Sequence, residues 1–152
     1  MSKWAKEAFE RLKTHEGQHH DENQNRALER QQILANAPVI WERVVNQLKN
    51  EVSDFDTMRL SYLTIDDQTH DSNPHITVST PHRHLRLNFQ QAVPRITYRV
   101  WESQPLRPSG IEIAKGELTF EVKGQEVLLY QVTTGRAVAS PHIIENLLGY
   151  LL

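Results

Sequence analysis

An α+β fold with an antiparallel meander sheet is predicted by three observations. Residues 2 to about 54 hold one Gly and one Pro and carry helical spacing, residues about 57 to 133 alternate with period two, and the last dozen return to helical spacing. Strand-like runs that follow one another without intervening helices imply antiparallel neighbours, since parallel strands need long crossovers. The expected architecture is N-terminal helices, a meander sheet of about 5–6 strands, and a C-terminal helix packed on the sheet. At 152 residues the chain has the size of a single domain. Within it, residues 1–35 form a polar helical segment and 36–152 the compact core.

In the first helix Trp4, Ala5, Ala8, Phe9 and Leu12 form a stripe at three- and four-residue steps. Lys3, Lys6, Arg11 and Lys13 surround that stripe; docking on the domain or on a second copy is the expectation, ahead of membrane-surface association. From Lys13 to Arg26 there is no large apolar residue, so this stretch is a solvated helix, a frayed connection or a loop. Spacing resumes at Ala27, Leu28, Leu34 and Ala35. Asn36 followed by Pro38 has the form of a helix start, because Asn caps free amides and Pro fits the first turn. The stripe Ile40, Trp41, Val44, Val45, Leu48 and Val52 then packs on the sheet.

The strands expected are Thr57–Ile65, His75–Thr80, His84–Gln90, Arg95–Trp101, Ile111–Val122 and Gln125–Thr133. Lys123-Gly124 makes the clearest hairpin turn, Gln91–Pro94 a second, and residues 104–110 a loop. Ser140 and Pro141 open the closing helix, whose Ile143, Ile144, Leu147, Leu148, Leu151 and Leu152 face the sheet.

Composition sets bounds on function. The formal charge of −2 gives no global attraction to nucleic acid or anionic membrane. With no cysteine, disulfides, cysteine metal sites and thiol catalysis are excluded. No apolar run spans a bilayer, and the start "MSKWAKEAFERLK" lacks a signal-peptide core, so a soluble cytoplasmic protein is expected. No phosphate-binding or dinucleotide-binding glycine motif and no nucleophile elbow occurs, and no cofactor is expected.

Two histidine groups invite a metal. His15-Glu16-Gly17-Gln18-His19 fits H-E-x-x-H, in which two imidazoles on one helix face hold zinc while the Glu activates water. No third ligand stands at the usual downstream spacing, and no apolar face could seat the stretch beneath a dry cleft. It reads as a solvated polar segment. His82 and His84 stand two apart and share a face of an extended strand, but Arg83 and Arg86 beside them oppose a cation. They read as rim histidines.

The best candidate surface is a sheet face. If Leu85, Leu87 and Phe89 point inward, Arg86 points outward with His82 and His84. On the next strand, inward Ile96, Tyr98 and Val100 turn Arg95, Arg99 and Trp101 outward. Arginine forks suit carboxylates and phosphates, and Trp101 offers a stacking plane. The competing explanation, which the pattern favours, is a charge ladder: Glu117, Thr119 and Glu121 point outward, and the two acids neutralise the arginines. The last strand is apolar on both sides, so Leu128 and Tyr130 join Trp101 as a candidate partner or dimer surface.

The sequence does not determine the function. The reading favoured is a small non-catalytic intracellular binding module that uses a sheet face, with Arg86, Arg95, Arg99, Trp101 and Tyr130 as candidate contacts. Its expected partner is a protein, a small anionic ligand or a second copy. The alternative is a metal-binding protein or metal-dependent enzyme using His82 and His84, or His15 and His19.

Overall fold

The computed structural model describes residues 2–59, 62–133, 136–139 and 142–152, with side chains apart from those of 15–21 and 132–139. Helix α1 (Lys3–Met58) is followed by strands β1 (Thr64–Gln68), β2 (His75–Ser79), β3 (Arg83–Gln90), β4 (Arg95–Gln104), β5 (Arg107–Lys123), β6 (Glu126–Thr133) and β7 (Arg136–Ala139) and by helix α2 (Ile143–Gly149). All seven strands form one antiparallel sheet in sequence order, so the α+β meander expected from the periodicity is what the chain adopts. Among the described residues, no helix is long and apolar enough to cross a membrane.

The N-terminal half of the chain departs from the expected series of helices. The backbone divides into compact units at Met1–Gln32 and Ile33–Leu152, yet α1 is one helical element over Lys3–Met58. Ser2 opens it, its Oγ accepting from the Ala5 amide at 3.2 Å. Pro38 lies inside the helix rather than at its start. A mid-helix proline removes one hydrogen bond, at about 3 kcal/mol; burial of Ala37 before it and of Trp41, Val44, Val45, Leu48 and Val52 after it offsets the loss. At its other end the helix runs past the predicted strand start at Thr57, whose Oγ1 donates back to the Asp54 carbonyl at 2.7 Å. In the first unit Trp4, Phe9, Leu12 and Leu28 are exposed.

In the second unit the Ala37–Val52 stripe, the inward residues of β2–β5, and Ile143, Ile144, Leu147 and Leu151 of α2 form one core cluster. Trp41 stacks on Phe89 with centroids 5.5 Å apart, and Phe89 meets Phe120 edge-on at 6.4 Å. Tyr98 is accommodated because its neighbour across the strands is Gly116, where a Cβ would lie 2.5 Å from the Tyr98 hydroxyl oxygen. That hydroxyl accepts from Gln131 Nε2 at 3.3 Å. Edge strand β1 is tied to the helix by the ion pair Lys49–Asp67.

The hairpins show where alternation misleads. The loop expected over 104–110 is instead a two-residue turn, with Gln104 paired to Arg107 and β5 extended by four residues. At β5–β6 the turn is Gly124-Gln125, so Phe120 faces Leu129 and Val122 faces Val127, one pair further along than expected. A slip of two residues preserves the face of every side chain, and the inward set is unchanged. Strand β7 was not expected, being only four residues long. The predicted cap at Ser140 and Pro141 lies outside the described residues.

Candidate functional site

Residues 33–58 of α1 and helix α2 pack on one face of the sheet; on the other, side chains of matched register form rows running across the strands. Ser79, His84, Trp101 and Glu112 make one row. The next holds Thr77, Arg86, Arg99 and Lys115, so three cations stand side by side on three neighbouring strands. Adjacent strands lie about 4.8 Å apart. Like charges directly opposite one another destabilise a sheet.

A bulge creates this arrangement. Register shifts between Val100 and Trp101, so Val100 faces Ala114 while Trp101 faces Glu112. Two residues before Glu112 in β5, Gly110 takes φ +70°, and a Cβ there would lie 2.5 Å from the Glu102 carbonyl oxygen and 3.0 Å from Trp101 Cδ1. Glycine therefore lets the β5 backbone close against the indole.

Trp101 organises its surroundings. His84 stacks on it at 5.1 Å and 26°, and the guanidinium carbons of Arg86 and Arg99 lie 5.6 and 5.2 Å from its centroid. Each arginine is also held by its inner nitrogen. Arg86 Nε donates to Thr77 Oγ1 at 3.1 Å, and Arg99 Nε lies 3.4 Å from Glu112 Oε1. Among the described residues no carboxylate forms an ion pair with Arg86 or Lys115. The two forks are thus oriented at the base while their outer nitrogens remain available to an oxyanion.

The expected charge ladder exists only in part. Arg95 NH1 meets Glu117 Oε1 at 3.0 Å, and Arg95 Nε donates to Gln90 Oε1. Arg99, however, is opposite Lys115 rather than an acid. Arg95 lies four residues along β4 from Arg99, about 13 Å away, beside a separate groove of about 650 Å³ bordered by Asp71, Pro74 and Val93. Tyr130 sits in Arg95's row, opposite Thr119, and is 4 % exposed. The structure therefore brings Arg86, Arg99 and Trp101 together, and leaves Arg95 and Tyr130 elsewhere on the sheet. Leu128 is partly exposed beside Glu121.

His84 is enclosed by hydroxyls, Nδ1 lying 2.7 Å from Ser79 Oγ and Nε2 2.6 Å from Ser103 Oγ. Desolvation holds its pKa below the usual imidazole value. A metal at His84 would have to displace one of these hydroxyls. His82 is exposed and precedes β3, in a turn closed by Thr80 Oγ1, which accepts from the Arg83 amide at 2.9 Å. Among the described residues no group of three His, Asp or Glu is placed to hold a metal ion. The side chains of the H-E-x-x-H stretch lie outside those described.

Lys115, Thr77, Ser79 and Ser103 belong to the site without having been singled out from the sequence. Lys115 was within reach, since the alternation that turns Glu117 outward turns Lys115 outward too. Its position opposite Arg99 required the bulge. Comparison with protein-family models, with curated proteins and with solved structures found no match to this chain.

Proposed function

We propose that the chain is a non-catalytic binding module that takes an anionic group, borne by a small ligand or a partner protein, on its open sheet face. The observation that carries this reading is the row Arg86–Arg99–Lys115, in which three cations are placed opposite one another at a cost to the fold. Such an arrangement is stabilised by an anion lodged over it. Cation–π contact of both guanidiniums with Trp101 restrains them before any ligand arrives, which lowers the entropy lost on binding. A cytoplasmic setting and self-association form part of the proposal. The cysteine-free sequence supports the first, and exposed Trp4, Phe9 and Leu12 support the second.

The test is an NMR titration with sulfate, phosphate and succinate, following the arginine Nε–H and tryptophan indole signals. Saturable shifts at Arg86, Arg99 and Trp101, with Arg95 unmoved, are expected. Shifts spread evenly over all arginines, or none, would overturn the reading.

A further inference from the structure

The cation row has a chemistry narrower than "anion", and on the reading above we infer that it is built for a phosphate monoester dianion. Three features of the row select that group. The first is charge: Arg86, Arg99 and Lys115 carry three positive charges and Glu112, paired to Arg99 at 3.4 Å, returns one negative charge. Two positive charges are left at the centre. Asp66 shares the row but stands two strands from Arg86, about 10 Å away, where screening is strong.

The second feature is the number of donors. A phosphate monoester presents three terminal oxygens and about two negative charges. Three cations on neighbouring strands can each take one oxygen, two through planar forks and one as a point charge. A carboxylate has two oxygens and one charge, and leaves one cation without a partner.

The third feature is width. The row on one side ends at Glu112 and the row on the other holds Glu117, so the positive strip is one residue wide. A nucleic-acid backbone needs a basic track along which successive phosphates can lie. Glu112 is paired to Arg99 and Glu117 to Arg95, so neither flanking row offers a free cation to a second phosphate. The indole of Trp101, partly exposed in the next row, borders the strip where the group esterified to the phosphate would emerge.

The experiment is calorimetric titration of the full chain with phenyl phosphate, phenyl sulfate and phthalate, joined to the NMR signals of Arg86, Arg99 and Trp101. Phenyl sulfate keeps the shape and loses one charge; phthalate keeps two charges and loses the tetrahedral group. Phenyl phosphate is expected to bind about tenfold or more tightly than either, and Arg99→Gln and Lys115→Gln should each weaken it about tenfold. Equal affinity for phthalate, or tighter binding of an oligonucleotide, would overturn the phosphate assignment while leaving the anion-binding face intact. Unmoved Arg86, Arg99 and Trp101 signals with all three probes would overturn both. Binding of phenyl phosphate that survives both substitutions unchanged places it off the row and overturns the assignment as well. A phosphotyrosine hexapeptide separates two sources of the same chemistry: affinity equal to that of phenyl phosphate assigns a free small phosphate, tighter binding assigns a phosphorylated side chain, and either supports the proposal.

Discussion

Arg86 and Arg99 face each other directly across β3 and β4, both over the ring of Trp101 and without a carboxylate between them. Each has one partner on its far side, Thr77 for Arg86 and Glu112 for Arg99, while Arg95 faces Thr119 and pairs with Glu117. Of Arg86, Arg95 and Arg99, Arg86 is the one with no carboxylate partner among the described residues.

Replacing one member of the facing pair should therefore raise stability while weakening anion binding. Arg86→Gln is expected to gain about 0.2–1 kcal/mol by removing a like-charge cross-strand neighbour. Urea unfolding in the absence of multivalent anions measures the gain, and the order should reverse in the presence of a saturating anion.

Gly116→Ala should destabilise the fold by about 1–3 kcal/mol, because its methyl group must displace a buried tyrosine ring. The added carbon would lie 2.5 Å from the Tyr98 hydroxyl oxygen, on the core face beneath α1. Pairing the change with Tyr98→Phe should recover little of the loss, since the ring carbons Cζ and Cε1, 2.6 and 2.8 Å from the added carbon, remain.

Asp67 sets an acid limit on the edge strand. Its carboxyl is held well below the usual carboxylate range, first by the hydrogen bond from Lys49 and then by Thr69 Oγ1 and the Thr69 amide. A depressed carboxylate pKa contributes stability that is present above the unfolded value near 3.8 and is lost as pH falls below it toward the folded value. Asp67→Asn should cost up to about 1 kcal/mol at neutral pH, the partial exposure of the pair limiting the effect. The variant should also flatten the acid limb of the Tm–pH curve.

His84 acts in a higher pH window. A histidine whose folded pKa is lowered contributes stability that is whole above the unfolded value of 6.5 and is lost as pH falls through it. The Tm of the native chain should fall between pH 7 and 5, and His84→Asn should reduce that slope. Zinc added to the untagged protein should leave the His84 ring signals in place, both nitrogens being bound to hydroxyls.

Much of this was legible because a period of two is insensitive to even errors. The sequence places Leu85, Leu87, Phe89, Ile96, Tyr98, Val100, Leu118 and Phe120 inward, and all eight are buried, although the β5–β6 register was misread by two residues. The facing of Arg99 by Lys115 was not legible, because it depends on a bulge beside Trp101 that alternation of residue types does not record. Pro38 hides the continuity of α1 from the sequence, since a local breaker is outweighed by burial that begins at Ala37 and Trp41 beside it. Tyr130 lies on the face that alternation gives it but is buried there, because the face a strand residue occupies does not say what lies over it.

The unbroken strand order from β1 to β7 has a consequence for how the chain folds. Every strand pairs only with its neighbours in sequence, so the sheet can assemble hairpin by hairpin with little loop entropy lost at each step. Contact order is therefore low for so large a sheet. The exceptions are the docking of α1 on the sheet, as where Trp41 stacks on Phe89, and of α2 into the same cluster. Those two closures carry most of the long-range entropic cost and are the steps expected to set the folding rate.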